Sequence, residues 1–342
     1  MKKEFIQNLS LLLGTLLLTF LVDRGIFYLN AGLYAFDPIL HYKLRPGIIK
    51  HWENKTPIHI NSYGHHDDNF PMAKSSRELR GIIIGDSIVM GYGVTAYEAF
   101  PNQLETMLNG SIPRYDTIQI INAGVSGYST FQYHEVLKRS LRFSPDFIVV
   151  GFCMNDVSEP LVVNKSYGGI GLDYHGVLQT SHNFIGYLIN ETGFGRLALM
   201  TRLLIIRRER LALCEIYNVY QMLEHPQKPE FLESWKRSLS DLTQIYNLAK
   251  HLNIPIVLMI FPYRFQVGNE KLQKPQQTLK SHADQNNVSY LDMTQVIEKH
   301  IIKSDTLDNS FLDQDHYTVH GHNLVASELL KHLKEQDILR FQ

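Results

Sequence analysis

Four short polar motifs, three of them closing apolar runs, carry the side chains of this 342-residue chain that could do chemistry. Gly85-Asp86-Ser87 follows the apolar run Gly81–Ile84. Gly85 permits a tight turn, and Ser87 falls at a helix start, where unbonded N–H groups and the helix dipole favour negative charge. A serine there also serves as an N-cap, so this motif alone does not identify a nucleophile. Asn122-Ala123-Gly124-Val125-Ser126-Gly127 closes a second apolar run. Its glycines allow close backbone approach to a ligand, although ordinary turn geometry calls for them as well. Gly151-Phe152-Cys153-Met154-Asn155-Asp156 ends a third, and an Asn projecting from a strand end is a ready donor to a developing oxyanion. Near the C-terminus, Asp313 stands three residues before His316. A carboxylate at that spacing on one turn can orient an imidazole.

The elements around these motifs alternate strand and helix. Strands are predicted at Gly81–Ile84, Thr117–Ile121, Phe147–Phe152, Ile256–Phe261 and Ser289–Leu291. Helices are predicted around Phe100, Leu104 and Met107, then at 132–141, 231–251 and 324–333. Such alternation implies an α/β fold with a parallel sheet covered by helices on both faces. In an open sheet of that kind ligands bind outside the carboxyl ends of the strands, where the first three polar motifs stand.

Taken in order, Gly85-Asp86-Ser87, Gly127, Gly151-x-x-x-Asn155-Asp156 and Asp313-x-x-His316 resemble the four blocks of the SGNH (GDSL-like) hydrolase family. Gly321-His322 after the last block has the family's spacing, and the resemblance covers about residues 79–335. Val319-His320 departs from the family's usual pattern before that Gly-His pair, where a proline is frequent; this bears on loop rigidity alone. The resemblance implies a three-layer α/β/α sandwich with a mostly parallel five-stranded sheet of flavodoxin-like type. It implies Ser87 as nucleophile, His316 as general base and Asp313 as the carboxylate that fixes the imidazole. It also implies an oxyanion hole built from the Ser87 and Gly127 backbone N–H groups and the Asn155 side-chain amide. Asp86 and Asp156 then hold loops, Asp315 and His320 are surface residues, and His322 is a satisfied helix-start histidine. No cofactor and no metal are expected.

Outside these blocks the N-terminus stands out. Lys2 and Lys3 precede an apolar run from Phe5 to Val22, about 18 residues, or ~27 Å of helix, enough to cross a hydrocarbon core. Residues 1–24 are read as a membrane anchor, with the lysines inside and the rest of the chain on the outer (periplasmic or extracellular) side. Secretion after cleavage of a signal segment is the alternative. Residues 25–78 form a connecting region packed on the domain, and Asn61-Ser62-Tyr63-Gly64 within it resembles a membrane-attached bacterial subgroup of the family. His65, His66, Asp67 and Asp68 are read there as a polar surface turn, because consecutive extended residues point in opposite directions. The hydrolase domain spans 79–342, with an insertion at about 160–230. Within it Leu197–Leu213 interleaves apolar residues with arginines and reads as an amphipathic covering helix, or else as an interfacial helix on anionic lipid.

Composition excludes other classes. Lys plus Arg is 33 against 34 Asp plus Glu, with no long basic run, so nucleic acid is not an expected partner. Cys153 and Cys214 fit no metal spacing and read as buried thiols, with a single disulfide as the alternative. The function expected is a serine esterase removing an acyl group, O-acetyl above all, from cell-surface or secreted polysaccharide. The alternatives are O-acyl transfer to a glycan hydroxyl, cleavage of a lipid or lysophospholipid ester, and a non-catalytic carbohydrate-binding relative. The expected partners are therefore an acylated carbohydrate or lipid ester and, through the N-terminal helix, the membrane.

Overall fold

Five strands form the central sheet: β5 (Glu78–Gly85), β6 (Thr117–Gly124), β7 (Phe147–Cys153), β8 (Ile256–Phe261) and β9 (Ser289–Asp292). All four neighbouring pairs are parallel and the order is β6-β5-β7-β8-β9. Every residue of β5 and β7 is buried, as expected where helices cover both faces of a parallel sheet. The first crossover leads from β5 outward to β6, and the second returns past β5 to β7. Right-handed crossovers must then put their helices on opposite faces. Phe100–Leu108 accordingly packs with the closing helix Val319–Glu335, and Thr130–Ser140 packs with Pro229–His251. Ring contacts extend the two layers, His300 beside His320 in one and Tyr246 beside His282 in the other. The expected three-layer α/β/α sandwich is the observed architecture.

The structure is a computed structural model that describes residues 2–157, 183–198, 209–304 and 306–339. The chain divides into two units, Met1–Arg45 with Val163–Ala212, and Pro46–Val162 with Leu213–Gln342. Residues 46–78 of the expected connecting region thus belong to the sheet-bearing unit, and most of the insertion groups with the N-terminal residues. The arginines at 202, 207 and 208 in the Leu197–Leu213 segment lie outside the described residues.

In the sheet-bearing unit, residues 46–78 begin with the short hairpin β3 (Ile49–His51) and β4 (Pro57–His59). The surface turn expected at 65–68 is corrected here: His66 and Asp67 are buried. His66 Nδ1 lies 2.8 Å from the Met90 carbonyl oxygen. Asp67 Oδ1 accepts from Asn102 Nδ2 at 2.9 Å, and its Oδ2 accepts from the Asn122 amide at 3.3 Å. The alternation argument concerned four side chains converging on one ion. It did not forbid two of them from turning inward to backbone groups that need partners. Arg80 is also buried, paired with Glu78 and donating to the carbonyls of Met72 at 2.9 Å and Phe143 at 3.2 Å. It ties the segment before β5 to the end of the helical layer.

In the smaller unit, the helix Lys2–Asn30 contains a stretch, Lys3–Leu29, long and apolar enough to cross a membrane. It is followed by the antiparallel hairpin β1 (Tyr34–Asp37) and β2 (His41–Leu44). Helix Asn183–Glu191, from the insertion, ends on this hairpin: Glu191 accepts from Arg45 Nη1 at 3.0 Å, from Arg45 Nη2 at 3.2 Å and from the Phe36 amide at 2.8 Å.

Candidate active site

The strand order reverses at β5, with β6 on one side and β7 on the other, and in a parallel sheet such a switch point opens a crevice at the carboxyl ends of the strands. Ser87 heads the short helix Ser87–Met90 directly after β5. Its capping residue is Asp86, whose Oδ1 accepts from the Ile88 amide at 2.9 Å. Ser87 is therefore the first helical residue and not the N-cap, so its hydroxyl is released from capping. Its amide belongs to the first turn, which finds no carbonyl within the helix. Gly91 ends that helix in a left-handed conformation, and the Tyr92 amide returns to the Ser87 carbonyl at 2.9 Å.

His316 comes from a loop after helix Leu307–Ser310 and before helix Val319–Glu335. A single antiparallel bridge between Phe311 and Tyr317 closes the loop's base. Inside it, Asp313 Oδ1 accepts from the amides of Asp315 at 3.1 Å and His316 at 2.9 Å. Its Oδ2 lies 2.7 Å from His316 Nδ1. The three-residue spacing thus works through an aspartate-closed loop and not through a helical turn. Across the crevice, His316 Nε2 is 2.9 Å from Ser87 Oγ. The structure brings Ser87, His316 and Asp313 into one hydrogen-bonded line.

Of the oxyanion candidates, Gly127 lies in the turn after β6 with φ +74°, a conformation that favours glycine. Asn155 follows β7, and its Nδ2 lies 3.2 Å from Asp86 Oδ2. Asp86 thus holds both the Ser87 helix and the Asn155 side chain. Asp156 accepts from Tyr133 Oη at 2.6 Å and from the Cys153 amide at 3.0 Å. Burial pushes the carboxyls of Asp86 and Asp156 upward, which fits groups that hold loops. Cys153 is a buried free thiol, its ionisation pushed up by burial.

Two residues near His316 escaped the sequence reading. Asp315, taken as a surface residue, is buried, with Oδ1 3.6 Å from His316 Nδ1. A loop gives no rule for which side chains turn inward: Asp313, two residues earlier, is exposed. Tyr92 stacks on the imidazole, with ring centroids 4.2 Å apart and planes at 28°. Trp52 in turn lies 4.6 Å from Tyr92 and donates Nε1–H to the Val94 carbonyl at 3.0 Å. Nothing in the sequence marks Tyr92 or Trp52. His320 is exposed, as expected. His322 is buried and receives the Phe100 amide at Nδ1 at 3.2 Å. Burial and the neighbouring histidines push it down to about 3, so it stays neutral.

Burial opposes the protonation of His316, but the carboxylates of Asp315, Asp313 and Asp86 outweigh it and raise its pKa to about 9. Burial would raise Asp313, yet the hydrogen bond and charge of His316 hold it well below the usual carboxylate range. A hydroxyl, an imidazole and a carboxylate so connected can pass a proton from the first to the second while the third stabilises the charge.

Transfer of an acyl group at an ester is the chemistry such an arrangement serves, and the class is that of the ester hydrolases. The chain belongs to the GDSL-like lipase/acylhydrolase family, whose model matches residues 83–324. No curated protein sequence matches it. Among solved structures it is similar to Axe2, an acetylxylan esterase from Geobacillus stearothermophilus. That likeness has 16% identity and a TM-score of 0.45, covering 75% of this chain and 94% of the other. It is likewise similar to LAE5, an alpha/beta hydrolase enzyme from the metagenome of Lake Arreo, Spain. Here identity is 12% and the TM-score 0.45, covering 77% of this chain and 97% of the other. Likeness at this level does not transfer a substrate from those proteins to this one.

Proposed function

We propose that this protein is a membrane-attached serine esterase that removes short acyl groups, O-acetyl above all, from a cell-surface or secreted polysaccharide. The observation that carries the reading is the 2.9 Å approach of Ser87 Oγ to His316 Nε2, with Asp313 2.7 Å behind Nδ1. Family membership supplies the reaction class. The attachment and the outward-facing domain rest on the N-terminal helix and the two lysines at its start.

On this reading Ser87 Oγ attacks the ester carbonyl while His316 Nε2 takes its proton. The carbonyl oxygen becomes an oxyanion received by the Ser87 and Gly127 amides and the Asn155 side chain. Asp313 keeps the Nδ1 proton in place and stabilises the imidazolium. His316 then delivers the proton from Nε2 to the leaving sugar oxygen, the C–O bond breaks, and an acyl-Ser87 ester remains. Water, deprotonated by the same nitrogen, attacks that ester and releases the carboxylic acid, returning the proton to Ser87.

The test is hydrolysis of p-nitrophenyl esters of increasing chain length by the full chain beside its Ser87→Ala variant. Acetate turnover that falls by roughly 10⁴-fold or more in the variant supports the proposal. Equal rates in parent and variant, or a preference for long acyl chains, would sink it.

A further inference from the structure

The helix Asn183–Glu191 is amphipathic in the wrong sense for a soluble protein. Its buried residues are Gly186 and Asn190, joined one turn later by Gly193, while Phe184, Ile185, Tyr187 and Leu188 are exposed. Phe184 is 72% exposed, and beyond the helix Phe194 and Leu197 are each 50% exposed. Large apolar side chains turned to water beside small and polar ones turned inward mark a face that something apolar covers.

The same segment is fastened to the end of the apolar span. Arg24 Nη2 donates to the Glu191 carbonyl at 2.8 Å, and the Phe194 amide donates to Asp23 Oδ1 at 3.0 Å. A Cβ on Gly193 would fall 2.0 Å from the Asp23 carbonyl oxygen and 2.9 Å from the Phe27 amide. Only glycine lets the two backbones meet there. Asp23 and Arg24 are the first charged residues after the run Phe5–Val22. The contact therefore lies within about one helical turn, ~5 Å, of the end of the apolar run. Interfacial helices bury their apolar face at about that level, ~5–10 Å into the headgroup boundary. Tyr28 and Leu29 of the long helix, in the same unit, are exposed as well.

We infer that residues 184–197 form an interfacial platform: the face carrying Phe184, Ile185, Tyr187, Leu188, Phe194 and Leu197 lies in the headgroup layer of the bilayer the span crosses. The inference rests on retention of the N-terminal helix in the membrane. Its aromatic and aliphatic composition suits that layer, where rings with a polar tip are favoured. The platform and the span would hold the smaller unit by two attachments set by one backbone contact.

The test uses the full chain reconstituted in phosphatidylcholine–phosphatidylglycerol vesicles, with single Trp substitutions read above the emission of native Trp52 and Trp235. Leu16→Trp reports the span, Phe184→Trp and Leu188→Trp report the platform, and Leu232→Trp reports an exposed position of the sheet-bearing unit. Lipids brominated high on the acyl chain are expected to remove most of the added emission at 184 and 188, and aqueous iodide to remove little. Iodide quenching at 184 and 188 equal to that at 232, with 16 still quenched by bromolipid, would overturn the platform and leave the anchor standing. Shielding from both quenchers at 184 would show a protein partner or second copy there and would equally overturn it. Loss of bromolipid quenching at 16 as well would remove the anchor, and the platform with it.

Discussion

His316 faces carboxylates from more than one direction, and that sets its chemistry. A base must be neutral to accept a proton, and burial alone would keep this proposed one neutral. Asp315, Asp313 and Asp86 reverse the balance and hold its pKa near 9. In the free enzyme kcat/KM is therefore expected to rise with pH until about 9, read from a pH–rate profile on a short-chain ester. Asp315→Asn removes one raising charge while leaving the hydrogen bond to Asp313, so the midpoint should move to lower pH. An unmoved midpoint would reduce Asp315 to packing. The same shift affects stability. A histidine raised on folding contributes fully below its unfolded pKa of about 6.5, and the contribution is lost as pH rises through about 9. Asn155→Ala is expected to lower kcat by about 10²–10³-fold with little change in KM, since an oxyanion donor acts mainly in the transition state. A change confined to KM would move Asn155 from the oxyanion to the bound substrate.

The elements deliver these residues through close backbone contacts. A Cβ on Gly124, the last residue of β6, would fall 2.2 Å from the Met90 amide nitrogen and 2.7 Å from the Val89 carbonyl carbon. Both are main-chain atoms of the helix that Ser87 heads, so that helix must move if Gly124 is enlarged. Gly124→Ala is expected to cost at least tenfold in kcat together with a lowered Tm, measured by kinetics and thermal melting on one preparation. The His316 loop is held at its far end by Thr318, whose Oγ1 accepts from the Gly321 amide at 3.1 Å as the N-cap of Val319–Glu335. Thr318 supplies a fixed entry to the helix in a loop that lacks the family's frequent proline. Thr318→Ala should lower stability by about 0.5–2 kcal/mol in denaturant titration. A larger fractional loss of activity than of stability would show that the cap also steadies His316.

For the whole molecule, the division after Arg45 separates two tasks. One unit carries the sheet, and all five proposed site residues lie in it. The other joins the N-terminal helix, a small hairpin and helix Asn183–Glu191 of the insertion through Arg45, Glu191 and Arg24. If the long helix is retained, the full chain should stay in membranes through an alkaline carbonate wash, and N-terminal sequencing of the mature protein should find residues before Val22. A mature start beyond residue 22 would identify a cleaved signal and end the anchor proposal.

The helices Lys274–Gln285 and Met293–Ser304 were not read from the sequence, but by itself it determined the five strands of the main sheet, their parallel pairing and the positions of the polar motifs. Those follow from local rules: apolar runs end where turns begin, and a parallel sheet offers its ligand site at strand ends. Ser87, Gly127 and Asn155 stood out as candidates for that reason, and Asp313 and His316 because their spacing resembles a family. What the sequence could not show are contacts between residues far apart along the chain. The inward turn of His66 and Asp67 depends on amides and carbonyls of Met90, Asn102 and Asn122 that only the packed core brings near. The stack of Tyr92 on His316 joins residues on opposite sides of the crevice. The burial of Asp315 depends on how the loop closed by the Phe311–Tyr317 bridge folds. The inverted face of Asn183–Glu191 is likewise decided by its partner, because apolar periodicity alone cannot tell a face that meets protein from one left exposed.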